Sequence, residues 1–267
     1  MEKRWKIKAF MPFPLLVQDI NVRGDFKLHI EKIYDLGDVK EVARYYPGNY
    51  GAPGCRRAPK KKATPEDIER QNRRNRARKI QRLILANFHE GDSHLVLTYR
   101  KTDRPKDMKE AKKHRRIFFE DMRDAYRKSG YKFKFLCVTV IGKRGAAHHH
   151  LIIEDIPELN TKKLVMKYWK YGGRHFTPLY EEGEYGELSD YLAKEEGKEQ
   201  SYTRSRNLLV PEPIKKRVWG RKWEDEPEPE KGWYIIKDSL ENGINPVTGH
   251  PYQHYMARRL ERKEASV

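Results

Sequence analysis

Three consecutive histidines, His148, His149 and His150, run without a break into the apolar segment Leu151-Ile152-Ile153, and further along the chain Tyr191 stands three residues ahead of Lys194. A strand alternates its side chains between two faces, so His148 and His150 point one way and His149 the other. Two imidazoles at adjacent same-face positions can share one divalent metal ion. Mg²⁺ or Mn²⁺, as hard cations, would take a carboxylate as a further ligand. On a helix a residue shares its face with the one three positions on, so the Lys194 ammonium can stabilise a Tyr191 phenolate or hold a phosphate. A phenol with a pKa near ~10 is a weak nucleophile at neutral pH unless a cation assists it. Together these groups make a centre for phosphodiester transesterification. The metal would polarise a scissile phosphate, and Tyr191 would attack it and keep the strand.

Each piece has a plainer reading. A histidine run also arises as a purification tag, but a tag is terminal, whereas this one follows the turn Gly142-Lys143-Arg144-Gly145 and continues into a strand. A tyrosine on a helix is ordinarily half-buried packing, and the chain has 16 tyrosines; Tyr191 stands out only through its context. No Cys-x-x-Cys or His-Glu-x-x-His spacing supports a zinc site.

The charge balance agrees with a phosphate-handling protein. The 267 residues carry 57 Lys and Arg against 39 Asp and Glu, a formal charge of +18. So large an excess speaks about partners rather than fold, and it favours polyanions, nucleic acid first. An acidic membrane surface would call for a basic amphipathic helix or a lipidation motif, and the sequence has neither. No run approaches the ~20 apolar residues that span a bilayer. Cys55 and Cys137 are far apart, and Cys137 lies in an apolar run that reads as core. The expectation is a soluble cytoplasmic protein with no membrane partner.

The elements that must position these residues follow from periodicity. Strand-like fragments at Lys6–Leu16 and Phe26–Ile33 and a basic linker over residues 56–62 precede a helix that starts at Thr64 as N-cap with Pro65 behind it. Its midsection is dense in arginine, and Arg73, Arg74, Arg76 and Arg78 are candidate phosphate contacts; the bland alternative is a solvated face. His94–Tyr99 reads as a buried strand and residues 107–129 as a helix ended by Gly130, with His114, Arg115 and Arg116 a second basic cluster. Residues 133–141 and 147–154 form a hairpin. A helix over 160–170, a strand over 175–179 and a helix over 184–197 complete the pattern. The order β-α-β-β-α-β-α predicts an α+β fold: a ferredoxin-like or RRM-like split βαβ antiparallel sheet with helices on one face and an extra helix at the end. The expected division is a basic N-terminal extension (1–63), a nuclease domain with its preceding basic helix (64–200) and a polar C-terminal extension (201–267). A hairpin is expected within 232–257, turning at Asn242-Gly243 or Thr248-Gly249.

Over roughly residues 65–210 the chain resembles the HUH endonucleases, specifically the rolling-circle replication initiators of bacterial plasmids, integrative elements and phages. The resemblance rests on pieces in one order. Asn87-Phe88 and Gly91-Asp92 precede the strand Leu95–Tyr99, and Val138-Thr139 leads into the Gly142–Gly145 turn and the histidine strand. Trp169 stands before Gly172, and Leu188-Ser189-Asp190-Tyr191-Leu192-Ala193-Lys194-Glu195 and Tyr202–Asn207 close the set. The resemblance implies His148 and His150 as metal ligands, Tyr191 as a single nucleophile, Lys194 as its support, and Mg²⁺ or Mn²⁺ as cofactor. It implies a nicking-closing enzyme that cuts single-stranded or hairpin origin DNA and stays linked to the 5′ phosphate. Relatives often carry a glutamate where this chain has Thr139 and Val140, so the third ligand falls to Glu154 or His175. Arg115, Arg116, Lys143 and Arg144 join the arginine helix as DNA contacts. With no Gly-x-x-x-x-Gly-Lys-Ser/Thr loop, unwinding would come from a host helicase and synthesis from a host polymerase, in a bacterial cytoplasm. A relaxase or single-strand transposase shares the chemistry; a non-catalytic nucleic-acid-binding protein would explain the charge but not the histidines and tyrosine.

Overall fold

The computed structural model describes residues 27–47, 62–142, 145–180, 185–194, 197–220, 223–245 and 248–260. The expected strand at Lys6–Leu16, the 56–62 linker (save Lys62), Cys55, Lys143 and Arg144 lie outside them. The chain order is β1 (Lys27–Asp35), β2 (Val39–Tyr45), α1 (Pro65–Leu85), β3 (Ser93–Thr98), α2 (Met108–Lys128), β4 (Phe135–Gly142), β5 (Ala147–Ile153), α3 (Thr161–Tyr168), β6 (Arg174–Pro178), α4 (Gly186–Ala193) and β7 (Gly197–Arg204). It ends with β8 (Ile214–Gly220), β9 (Trp233–Ile235), β10 (Glu241–Ile244) and β11 (Pro251–Arg259).

The fold is α+β. The expected β-α-β-β-α-β-α succession is β3-α2-β4-β5-α3-β6-α4, and its strands form an antiparallel sheet in the order β6-β3-β5-β4-β7. Sequence order split in this way, with the outer strands joined through helices, is the ferredoxin-like arrangement. The edge strand β7 was not foreseen, because the sequence Gly197–Arg204 has no apolar alternation to announce it. Beside β4 at the rim it needs no second buried face.

Helices cover both faces. On one, α2 and α3 bury Phe118, Met122, Val165 and Trp169 against Leu95, Leu97, Cys137 and Leu151. On the other, Ala77, Ile80, Leu83 and Ile84 of α1 and Leu192 and Ala193 of α4 pack on Leu136, Val138 and Ile152. α1 begins as the sequence predicts: Thr64 Oγ1 accepts from the Asp67 amide at 3.2 Å, and the Asp67 carboxylate accepts from the Thr64 amide at 3.2 Å, a reciprocal cap. α2 ends on Gly130, whose φ of +81° suits a residue without Cβ.

Strands from both chain ends meet in a second, six-stranded sheet, β10-β11-β2-β1-β8 with β9 beside β11. The β10–β11 hairpin turns at Thr248-Gly249, where the Gly249 amide donates to Asn245 O at 2.7 Å; Asn242-Gly243 lies inside β10. α1 bridges the two sheets. Leu85 and Ala86 pack on Leu36, Val39 and Met256, Arg78 pairs with Glu241 at 2.8 Å, and Arg82 grips Glu41 through Nε and Nη2 at 2.5 and 2.6 Å. Among the described residues no helix is long and apolar enough to cross a membrane.

Burial by itself would raise the Glu41 carboxyl, but hydrogen bonds from Arg82 and from His254 Nε2 (2.8 Å) outweigh it and hold the group down to about 2. Burial also keeps His254 neutral by lowering its pKa, against the pull of that carboxylate. A depressed carboxyl stabilises the fold fully above the unfolded value of ~4.5, and the contribution is lost as pH falls toward 2. The expected loss is about 3 kcal/mol over that window, begun at somewhat higher pH by His254, which the unfolded chain protonates more readily. Urea unfolding as a function of pH should show it, and Glu41→Gln should be less stable at neutral pH with a flatter acid limb.

Candidate active site

β5 lies between β3 and β4 in the first sheet, and its alternation decides what each histidine does. His149 faces α2. It is fully buried, with the Tyr99 hydroxyl 2.8 Å from Nε2 and Thr139 Oγ1 2.8 Å from Nδ1. Arg115 Nη1 donates to the same Thr139 oxygen at 2.7 Å. A guanidinium can only donate, so the threonine oxygen must accept from it. Burial, then the Arg115 charge, keep this imidazole well below its ordinary pKa and hence neutral. His149 is therefore a fully bonded core histidine whose partners hold the strand in place.

His148 and His150 face the α1–α4 side. Their rings meet edge-on with centroids 4.8 Å apart. His150 Nδ1 lies 3.3 Å from His94 Nε2, and its Nε2 lies 3.4 Å from the Tyr191 hydroxyl. The structure thus brings together two groups 41 residues apart in sequence. Tyr191 is half exposed, so a phosphate can approach it from solvent. Burial, then His148 and His94, push His150 down to about 3. Burial, then His175, push His94 down to about 4, and burial lowers His148 as well. All three rings are neutral at physiological pH and can offer lone pairs. In the tautomer whose Nδ1–H donates to His94, His150 keeps its one lone pair on Nε2, beside the phenol.

His94 was missed by sequence reasoning. It stands at the head of a strand whose alternation is visible, but its meeting with His150 depends on the β3–β5 register, which pairs Val96 with His150 and His94 with Ile152. The two expected third ligands are placed elsewhere. Glu154 pairs with Lys134 at 2.9 Å, four residues past His150, roughly 13 Å along a strand. His175 is exposed on β6, opposite Val96, with β3 between it and β5. Among the described residues no group of three or more His, Cys, Asp or Glu side chains is arranged to hold a metal ion. The donor chemistry present, two neutral imidazoles on one open face, fits a divalent cation whose remaining ligands are water or phosphate oxygens.

Lys194 is not on the helix face expected for it. α4 ends at Ala193, and Lys194 is extended, with its amide 3.3 Å from Tyr191 O. Its side chain lines a groove with Arg73 and Arg76 of α1. Among the arginines read as phosphate contacts, Arg74 and Arg78 are engaged with Glu241 and Arg76 reaches Ala193 O at 3.4 Å. Arg115 is turned inward to Thr139; Arg73 and Arg116 are exposed. The other motif residues tie loops together. Asn87 exchanges hydrogen bonds with Leu209 at 2.8 and 2.6 Å. Asp92 accepts from the His89 and Asp155 amides, each at 2.9 Å. Trp169 Nε1 donates to Thr98 O at 3.0 Å, and a Cβ on Gly172 would drive into that same carbonyl.

Residues 92–196, from the start of β3 past the end of α4, match the family model of the replication-associated protein ORF2. The matched segment holds His94, the histidine strand and Tyr191. No curated protein and no solved structure matches the chain significantly. The match relates this segment to replication-associated proteins.

Replacing Thr139 with valine keeps its shape but leaves the Arg115 guanidinium and His149 Nδ1 without their shared partner. Thr139→Val should lower stability by about 2–4 kcal/mol in urea unfolding, with a disturbed His149 imidazole signal by NMR. Unchanged stability would mean that this chain of bonds does not hold β5.

Proposed function

We propose that the protein is a rolling-circle replication initiator, a site-specific single-strand DNA endonuclease and ligase of the HUH type with one nucleophilic tyrosine. The observation that carries this reading is the Tyr191 hydroxyl 3.4 Å from His150 Nε2, beside His148. A divalent cation, Mg²⁺ or Mn²⁺, held by His148 and His150 would polarise the non-bridging oxygens of a scissile phosphate.

The chain's own residues supply the rest. His94, against Nδ1, fixes the His150 ring so that its one lone pair, on Nε2, would serve the cation with the Tyr191 hydroxyl beside it. Tyr191 attacks phosphorus in line. A Tyr–O–P bond forms, the bond to the 3′ oxygen breaks, and that oxygen takes up a proton in place of the one the phenol gave up. The phosphotyrosine conserves the energy of the cut bond, so a 3′ hydroxyl can later reverse the step and reseal the strand without ATP. Lys194, in a groove with Arg73 and Arg76, would hold strand phosphates next to the nucleophile. The free 3′ end would prime a host polymerase, with a separate helicase opening the duplex. A relaxase or transposase would use the same side chains; the match to replication-associated proteins favours initiation.

Incubation with Mn²⁺ and an origin-derived single strand should give a covalent protein–DNA adduct on denaturing gels. Tyr191→Phe should abolish it while leaving strand binding within about twofold. His150→Ala should lower cleavage by about 100-fold or more and weaken Mn²⁺ binding by calorimetry, in the range of ligand-shell losses. Adduct persisting in Tyr191→Phe would remove that residue from the role, and no cleavage of any strand in any metal would leave a non-catalytic nucleic-acid-binding protein.

A further inference from the structure

The face of the first sheet opposite Tyr191 carries a groove the proposed chemistry does not use. It lies between α2 and the segment that follows β7, with a volume of about 1000 Å³. Eight of its lining residues are Lys or Arg and none is acidic. One wall is a single stripe of α2: Lys112, Arg116, Arg123 and Arg127, at intervals of four, seven and four, which keep one helical face. From first to last the stripe runs about 22 Å. Lys132 and Arg206 complete the rim. The exposed ring of Tyr131 stands in the same groove, and Arg123 lies over the Phe135 ring with its guanidinium carbon 5.8 Å from the centroid.

Arg116 and Arg127 have acidic neighbours on the same helix, Glu120 at 3.7 Å and Asp124 at 2.9 Å. Both pairs are solvent-exposed, and such pairs contribute little, so a phosphate can replace the carboxylate. Among the described residues, Lys112, Arg123, Lys132, Arg204 and Arg206 have no acidic side chain within 4.0 Å. Counter-charge along the stripe is thus confined to two solvent-exposed pairs, which a polyanion can displace.

We infer that this groove is a second DNA site, which holds the backbone of a single strand by its phosphates, independently of sequence and of the Tyr191 face. Concavity decides for one strand over a duplex: the two walls enclose a cleft, and a positively charged groove with an exposed aromatic ring is how unpaired strands are tracked. Four cations along about 22 Å can each meet a separate phosphate of one extended strand. The catalytic face and this groove share the β7 rim, where Tyr202 exposes its ring on the catalytic side and Thr203, the next residue, lines the groove. A strand cut at Tyr191 can pass around that rim and be retained on the far face.

The test is fluorescence anisotropy of the full chain with a mixed-sequence single strand lacking any cleavage site, in EDTA, over a range of salt. The variant Arg123→Gln/Arg127→Gln/Arg206→Gln should bind about 100-fold more weakly at ~0.1 M salt, with the slope of log K against log salt reduced by about 2, as loss of three phosphate contacts predicts. Its thermal midpoint should match the parent. In the unaltered protein, bound single strand should protect Lys112 and Lys132 from acetylation read by mass spectrometry, which checks the site without any substitution. Unchanged affinity and slope, or no protection, would overturn the proposal. Tighter binding of a duplex competitor would overturn the single-strand assignment. Tyr191→Phe should bind this strand as the parent does, so failure here and failure of the nicking reading show up separately.

Discussion

The site rests on the lock around His149. Tyr99 and Thr139 hold its two ring nitrogens, and Arg115 anchors Thr139 from α2. Because side chains alternate strictly along a strand, holding the middle histidine on one face presents its two neighbours on the other. A slip of one residue in β5 would exchange the faces, burying His148 and His150 and turning His149 outward. The polar chain inside the core is therefore a register device, and its isolation from water makes each bond in it hard to give up.

The opposite face is shaped by a different balance. α1 and α4 supply apolar cover over Leu136, Val138 and Ile152, and the cover stops where His148, His150 and Tyr191 reach the surface. Apolar surroundings lower the three imidazole pKa values, which keeps lone pairs available at neutral pH. The same desolvation that makes a buried histidine reluctant to charge thus makes it a competent hydrogen-bond acceptor or ligand.

Arginine occupies two settings in this protein, and burial tells them apart. Arg78, Arg82 and Arg115 are drawn inward to Glu241, Glu41 and Thr139, where they join α1 to the second sheet and α2 to the first. The arginines of the α2 stripe stay in solvent. A count of basic residues cannot separate these populations, because an arginine with a buried acidic partner and one awaiting a phosphate look alike until the partner is seen.

Most elements of the first sheet were legible from residue order. The cap at Thr64, the stop at Gly130 and the period-two run from His148 to Ile153 are local rules, and local rules are written in adjacent residues. The same alternation already divided His149 from its neighbours. At the chain ends the strand over 26–33 and the hairpin turn at Thr248-Gly249 were legible, but not the sheet they build, since β1 meets β8 and β2 meets β11 only across long sequence separations. Nor was His94, whose ring reaches His150 through the β3–β5 register, nor the end of α4 at Ala193, which leaves Lys194 beside Arg73. Sequence alone determined which side chains could do chemistry and which way the three histidines leaned. Tertiary structure alone decided which of them meet, because meeting depends on register and packing between segments that share no local signal.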